Sequence, residues 1–281
     1  MIFDDRACEL GEGPHWHPGK GQLFWFDIIG RRLLTRAGGE AQEWHFPEMV
    51  SAAGWAGAEA LLVASETRLF RFDLDTGAQE TLAALEADDP LTRSNDGRAD
   101  RQGGFWIGTM GKDPKAGQGA IWRFFRGELR RLFPRITIPN AIAFAPDGRT
   151  ATFADSPTRT VWRVALDGDG WPLGQPEVFL SLPPDGPEPD GAVFDDAGRL
   201  WLAEWGAGHV ACYAPDGERL LTVPVPAPHS SCPALTPDGR LYVTSALQGM
   251  DAAARAAHPD AGRTFVAQVA ARGIPEPEVI L

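Results

Sequence analysis

Apolar and polar residues alternate with a period of two along most of the chain, interrupted at short intervals by Gly, Asp-Gly and Gly-Gly steps. Such alternation predicts half-buried strands, and the interrupting steps predict tight hairpin turns between them. One unit recurs: a polar residue, an alternating apolar stretch, a turn ending near Gly, then a strongly apolar second strand. Its clearest copies run Asn140 to Asp155, Asp190 to Glu204 and Ser231 to Ser245; Asn95 to Thr109 is a fourth, and Glu12 to Asp27 and Ser51 to Ser65 are weaker. Successive copies begin 39 to 50 residues apart, the length of a four-stranded propeller blade. Further short strands between the copies, such as Arg68–Asp73, Ala120–Phe124 and Thr160–Val164, supply the outer half of each blade. Helical periodicity is confined to a short candidate at Ala252–Ala257. The pattern predicts an all-β protein, a six-bladed β-propeller filling residues 1–281 as a single domain. A terminal strand paired into the last blade would close it and leave no open edge. A β-sandwich shares the strand signal but leaves the even period unexplained.

In a propeller the first strand of each blade lines the central channel, so residues that begin those strands converge at one mouth. Counting back from the turns puts Glu12, Ser51, Asn95, Asn140, Asp190 and Ser231 in equivalent positions. Two acids, two amides and two hydroxyls therefore face the axis where a merely packed strand would begin with apolar residues. Carboxylate and amide oxygens without Cys or His suit a hard cation such as Ca²⁺, Mg²⁺ or Mn²⁺; Zn²⁺ or Fe²⁺ also bind oxygen ligands. Polar residues that simply solvate a water-filled channel are the other reading.

Composition narrows the partners. With 26 Lys and Arg against 38 Asp and Glu, the net charge is −12, and nucleic acid, which needs a basic stripe, is not expected. No apolar run approaches the roughly 20 residues of a membrane helix. The acidic start Met1–Arg6 lacks the layout of a signal peptide, and Cys8, Cys212 and Cys232 are scattered, with no CxxC pair. A cytoplasmic protein with free thiols is expected. No apolar stripe stands outside the strand pattern, so a monomer is expected.

The segments Leu10–Pro14 followed by Trp16, Arg93–Gly97, Ile107–Met110, Pro139–Asn140, Pro189–Gly191 and Gly249–Met250 occur in series across the chain. In this order they resemble the senescence-marker-protein, gluconolactonase and luciferin-regenerating-enzyme family, which includes regucalcin. The resemblance implies a six-bladed propeller with one divalent cation in its channel, Ca²⁺ first among the candidates, that hydrolyses sugar lactones. Carried over by position, Glu12, Asn140 and Asp190 match the family's metal ligands, and Asp190 also its general base. Arg93 and Asn95 match residues that contact the sugar and the lactone oxygens. Asp113 falls where regucalcin-like members have a Glu that reaches the substrate, so a shorter acid stands there.

The expected substrate is thus a small sugar lactone: glucono-, xylono-, arabinono- or galactonolactone. A promiscuous esterase or phosphotriesterase is an alternative, but its wall should be more apolar than Arg93, Asn95 and Asp113 suggest. A non-catalytic calcium-binding propeller is another, because fold alone does not decide function. Segment 111–119, rich in Gly, Pro and charge, reads as a loop over the mouth or as an ordinary excursion. His15 and His17 share a strand face but have no third ligand nearby in sequence. His229 reads as a turn residue or as a proton carrier at the mouth. Ser51 and Ser231 are in phase to hydrogen-bond the substrate or channel waters, and no G-x-S-x-G elbow marks a serine nucleophile.

Overall fold

Alternation becomes strand throughout: a computed structural model of residues 1–281 contains 24 strands. They form six four-stranded antiparallel sheets arranged as the blades of a propeller, each numbered here in chain order. The innermost strands are Gly11–His17, Val50–Trp55, Thr92–Ala99, Pro139–Phe144, Glu188–Phe194 and Ser230–Leu235. The sixth blade is completed by the N-terminal strand Ile2–Asp4, which pairs with Thr264–Gln268. This ties both ends of the chain into one sheet, and the ring closes as its sequence pattern predicts. The short helix Ala252–Ala257 also forms, with the Asp251 carboxylate capping the Ala254 N–H.

Cohesion comes from the faces between blades. Phe24, Phe26 and Leu33 of the first blade pack against Leu61, Phe70 and Phe72 of the second. Trp25, Trp106 and Trp201 are buried, which is the packing role their strand positions predict.

Every inner strand breaks register against its neighbour near its start. Two residues oppose one between Glu12 and His15, Ser94 and Gly97, Asn140 and Ala143, Pro189 and Ala192, and Ser230 and Pro233. A smaller break separates Val50 from Ala52. One extra residue per strand is a β-bulge, which bends the strand and re-aims its side chains. Here it recurs at the mouth of the channel in all six blades.

The opposite mouth is crossed by the C-terminal segment. Arg101 Nη1 donates to the Pro275 carbonyl (2.8 Å), Trp55 Nε1 to that of Glu276 (2.8 Å), and the Ile280 N–H to that of Gly103 (2.8 Å). The Glu276 carboxylate turns inward and pairs with Arg98 at 2.5 Å. The channel therefore opens mainly at the end where the inner strands begin.

Candidate functional site

A cavity of about 440 Å³ occupies that open end. Glu12, Arg93, Asn95, Asn140 and Asp190 all line it, brought by four different blades. The bulges hold them there with unusual backbone. Gly13, after Glu12, has φ +54°, and a Cβ on it would lie 2.3 Å from the Ser51 carbonyl oxygen. Gly191, after Asp190, packs so tightly that a Cβ would meet Cys232 Sγ at 2.2 Å. Only glycine permits that approach.

A line of hydrogen bonds crosses the site from blade to blade. Arg93 Nη1 donates to Asn95 Oδ1 (2.8 Å), and Asn95 Nδ2 to Asn140 Oδ1 (2.9 Å). Asn140 Nδ2 then donates to Ser156 Oγ (2.8 Å), which donates to the Pro189 carbonyl beside Asp190 (2.7 Å). The second hydrogen of Asn95 Nδ2 goes to the Pro139 carbonyl at 3.0 Å. This line sets the Asn140 oxygen toward Asn95, and both amide hydrogens of Asn95 are committed within the protein.

Charge is crowded here. Burial, and then the Asp96 charge, pushes the Glu12 carboxyl up to about 8. Burial raises Asp190 well above the usual carboxylate range, with Glu12, Asp96 and Glu188 adding to the effect. Asp96 itself is pushed up to about 6 by burial, although it accepts the Ile142 N–H at 2.8 Å. Arg93 is held down to about 10 by burial, against the pull of Glu12 and Asp190, and stays cationic near neutrality. Glu12 and Asp190 thus face the Arg93 guanidinium, while the buried Asp96 interacts with Arg98.

This donor set fits a hard divalent cation. Two carboxylates that repel each other, joined by an amide oxygen of fixed orientation, would both be relieved by a 2+ charge. No group of three or more His, Cys, Asp or Glu side chains is arranged to hold a metal, and here the third donor is an amide.

Several other polar residues lie outside the cavity. Ser51 and Ser231 do not line the cavity. Ser51 Oγ donates to Ser94 Oγ (2.8 Å) and Ser231 Oγ to the Gly11 carbonyl (2.5 Å), so both tie neighbouring blades. Asp113 stands exposed on its loop outside the cavity lining, to which that loop contributes Pro114. His15 and His17 are buried without a metal-holding partner set. Asp155 caps the N–H groups of Thr137 and Ile138, while Glu204 bonds His209 and Tyr213.

The cavity also contains residues that the repeat phase does not single out: Met110, Ser156, Glu188, Trp205, Gln248 and, from a turn, His229. Asp96, buried outside the cavity lining, lies within the Arg93–Gly97 segment. Trp205 ends a second strand rather than beginning a first one, so no positional rule points to it.

Residues 10–247 match the family model described as the SMP-30/Gluconolactonase/LRE-like region. The chain is 42% identical to a candidate sugar lactone lactonase of Rhizobium meliloti (strain 1021), over 98% of this chain and 95% of that one. It is 39% identical to the L-arabinolactonase of Azospirillum brasilense, over 97% of this chain and 93% of that one. Among solved structures it resembles a calcium-binding protein, regucalcin, from Agrobacterium tumefaciens str. C58. The TM-score is 0.97 and the identity 39%, covering 100% of this chain and 97% of that one.

Proposed function

The chain belongs to the SMP-30/gluconolactonase/LRE-like family, and on that premise we propose that it hydrolyses a sugar lactone, an aldonolactone, to the open aldonic acid. The observation that carries this reading is the convergence of Glu12 and Asp190, buried beside Arg93 and Asn140, in one solvent-reached cavity. Hydrolysis needs a polarised carbonyl, an activated water and a place for the oxyanion, and this arrangement can supply all three.

Glu12, Asn140 and Asp190 would hold one divalent cation, with Ca²⁺ the first candidate and Zn²⁺, Mn²⁺, Mg²⁺ or Fe²⁺ the others; when bound it supplies Lewis acidity to the carbonyl and to the attacking water. Asp190 takes the proton from that water. Burial and neighbouring negative charge raise its affinity for a proton in the metal-free site; a bound cation would lower that affinity and the pKa of the water together, which keeps the transfer feasible. Arg93 presents its guanidinium to the oxygen on which charge develops. Asn95, bonded to Arg93 and Asn140, keeps both in register. When the ring C–O bond breaks, Asp190 returns its proton to the departing oxygen, giving the hydroxy acid. Asp113 is left out of this assignment because it stands outside the cavity lining.

The test removes metal with a chelator and restores single cations while acid release is followed on glucono-, galactono-, xylono- and arabinonolactones. Spontaneous opening is subtracted for each. Restoration by one cation with one sugar lactone supports the reading. Cation binding without acceleration over the blank for any lactone removes it, and an esterase or calcium-binding role then takes its place.

A further inference from the structure

On the wall of the cavity, the rings of Trp205 and His229 lie face to face, 4.2 Å apart and 10° from parallel. They come from different blades. Trp205 ends the second strand of the fifth, and His229 immediately precedes the first strand of the sixth. Their connecting backbones are tied together: Gly206 and Gly208 N–H groups both donate to the Pro228 carbonyl, at 3.0 and 3.1 Å. The Ala246 N–H then holds the His229 carbonyl at 3.0 Å. An imidazole stacked and anchored in this way has little freedom to turn.

That ring has no assigned work. His229 Nδ1 is buried within the wall, so the nitrogen left to the cavity that this residue lines is Nε2, which makes no side-chain hydrogen bond of its own. On the ligand side, the amide hydrogens of Asn95 are spent within the protein. A sugar hydroxyl both donates and accepts whereas Arg93 only donates, so acceptors for the hydroxyl hydrogens must come from the rest of the wall. Burial holds His229 below the usual histidine range, so near neutrality the ring is uncharged. A neutral imidazole has one N–H and one lone pair, and it can donate to a hydroxyl or accept from one.

Resting on the lactonase reading above, we propose that His229, set flat against Trp205, is a specificity-determining residue that hydrogen-bonds a hydroxyl of the lactone remote from the reacting carbonyl. The pair would thereby favour hydroxylated lactones over bare rings. A site built to bond a hydroxyl discriminates against the analogue lacking it, because its own polar atom is then left unmet.

The test compares wild type with His229→Phe, which preserves the stack and removes both nitrogens, and with His229→Gln, which retains a hydrogen-bonding group. Each acts on a sugar γ-lactone and on unsubstituted γ-butyrolactone, and thermal melts confirm folding. For His229→Phe the expected result is about a tenfold loss in kcat/KM on the sugar lactone, carried by KM, the size of one hydrogen bond. Butyrolactone should be unaffected, and His229→Gln should retain part of the preference. Equal losses on both substrates, or no loss on either, overturn the proposal. Binding of the aldonic acid by calorimetry separates this from the function itself. If wild type opens no lactone yet binds the acid more tightly than His229→Phe, the hydrolase reading fails and the His229 contact stands. Equal binding, or none to wild type, overturns the contact.

Discussion

Asn95 Nδ2 lies 2.9 Å from Asn140 Oδ1, so an amide of the third blade holds the orientation of an amide of the fourth. Asn140 is thereby prevented from flipping, and its oxygen rather than its nitrogen is fixed on the Asn95 side. Outer partners of this kind orient the groups that bind a metal.

Replacing Asn95 with Leu should leave the propeller folded while freeing the Asn140 amide. Cation affinity should fall about 10- to 100-fold, the usual cost of losing such a partner. Calorimetric titration of chelated protein with Ca²⁺ measures it; an unchanged affinity would show that Asn140 needs no support.

Asp190→Asn preserves the shape of the side chain and removes its basicity. Turnover on the best sugar lactone should drop about 10²- to 10⁴-fold, the range for loss of a general base. Circular dichroism should match that of wild type. Activity within a few-fold of wild type in a folded, cation-loaded variant would reassign the proton acceptor.

The crowded carboxylates should make the metal-free protein sensitive to pH. Glu12 binds its proton up to about pH 8 in the folded state but only to its ordinary value of 4.5 when unfolded. The folded state therefore holds the extra proton, and stability falls as pH rises through the folded value. His15, pushed down to about 4 by burial, is neutral in both states above its ordinary 6.5 and does not interfere there. From pH 6.5 to 8.5, chelated protein should lose stability to urea, with Glu12 and Asp190 both contributing. Glu12→Gln should lessen that slope, and saturating cation should remove it. A stability that rises across this window would contradict the electrostatic account.

Gly191→Ala tests the backbone beneath Asp190. Its Cβ would lie 2.2 Å from Cys232 Sγ and 2.8 Å from Cys232 Cα, so removing the sulfur alone gives no relief. Destabilisation of about 1–3 kcal/mol is expected, in line with overpacking elsewhere, together with reduced turnover as Asp190 is displaced. Urea midpoints and kcat read the two effects separately, and a neutral variant would mean that the strand can shift.

The sequence by itself determined the blade count, the closed ring, the short helix at Ala252–Ala257 and the convergence of Glu12, Asn95, Asn140 and Asp190. These features are periodic or local: alternation of period two marks strands, and a constant phase in each repeat places equivalent residues at one mouth. Tertiary structure decided which polar residues in that phase reach the cavity. Ser51 and Ser231 share the phase of Glu12, yet their short side chains bond the adjacent blade. Asp113 is held outside by the course of its loop, while Trp205 and His229, 24 positions apart, meet across a blade boundary. The Glu276 pairing with Arg98 at the far mouth likewise joins residues 178 positions apart. Contacts of that separation depend on how finished blades pack and on where the chain crosses between them, and no spacing along the sequence encodes either.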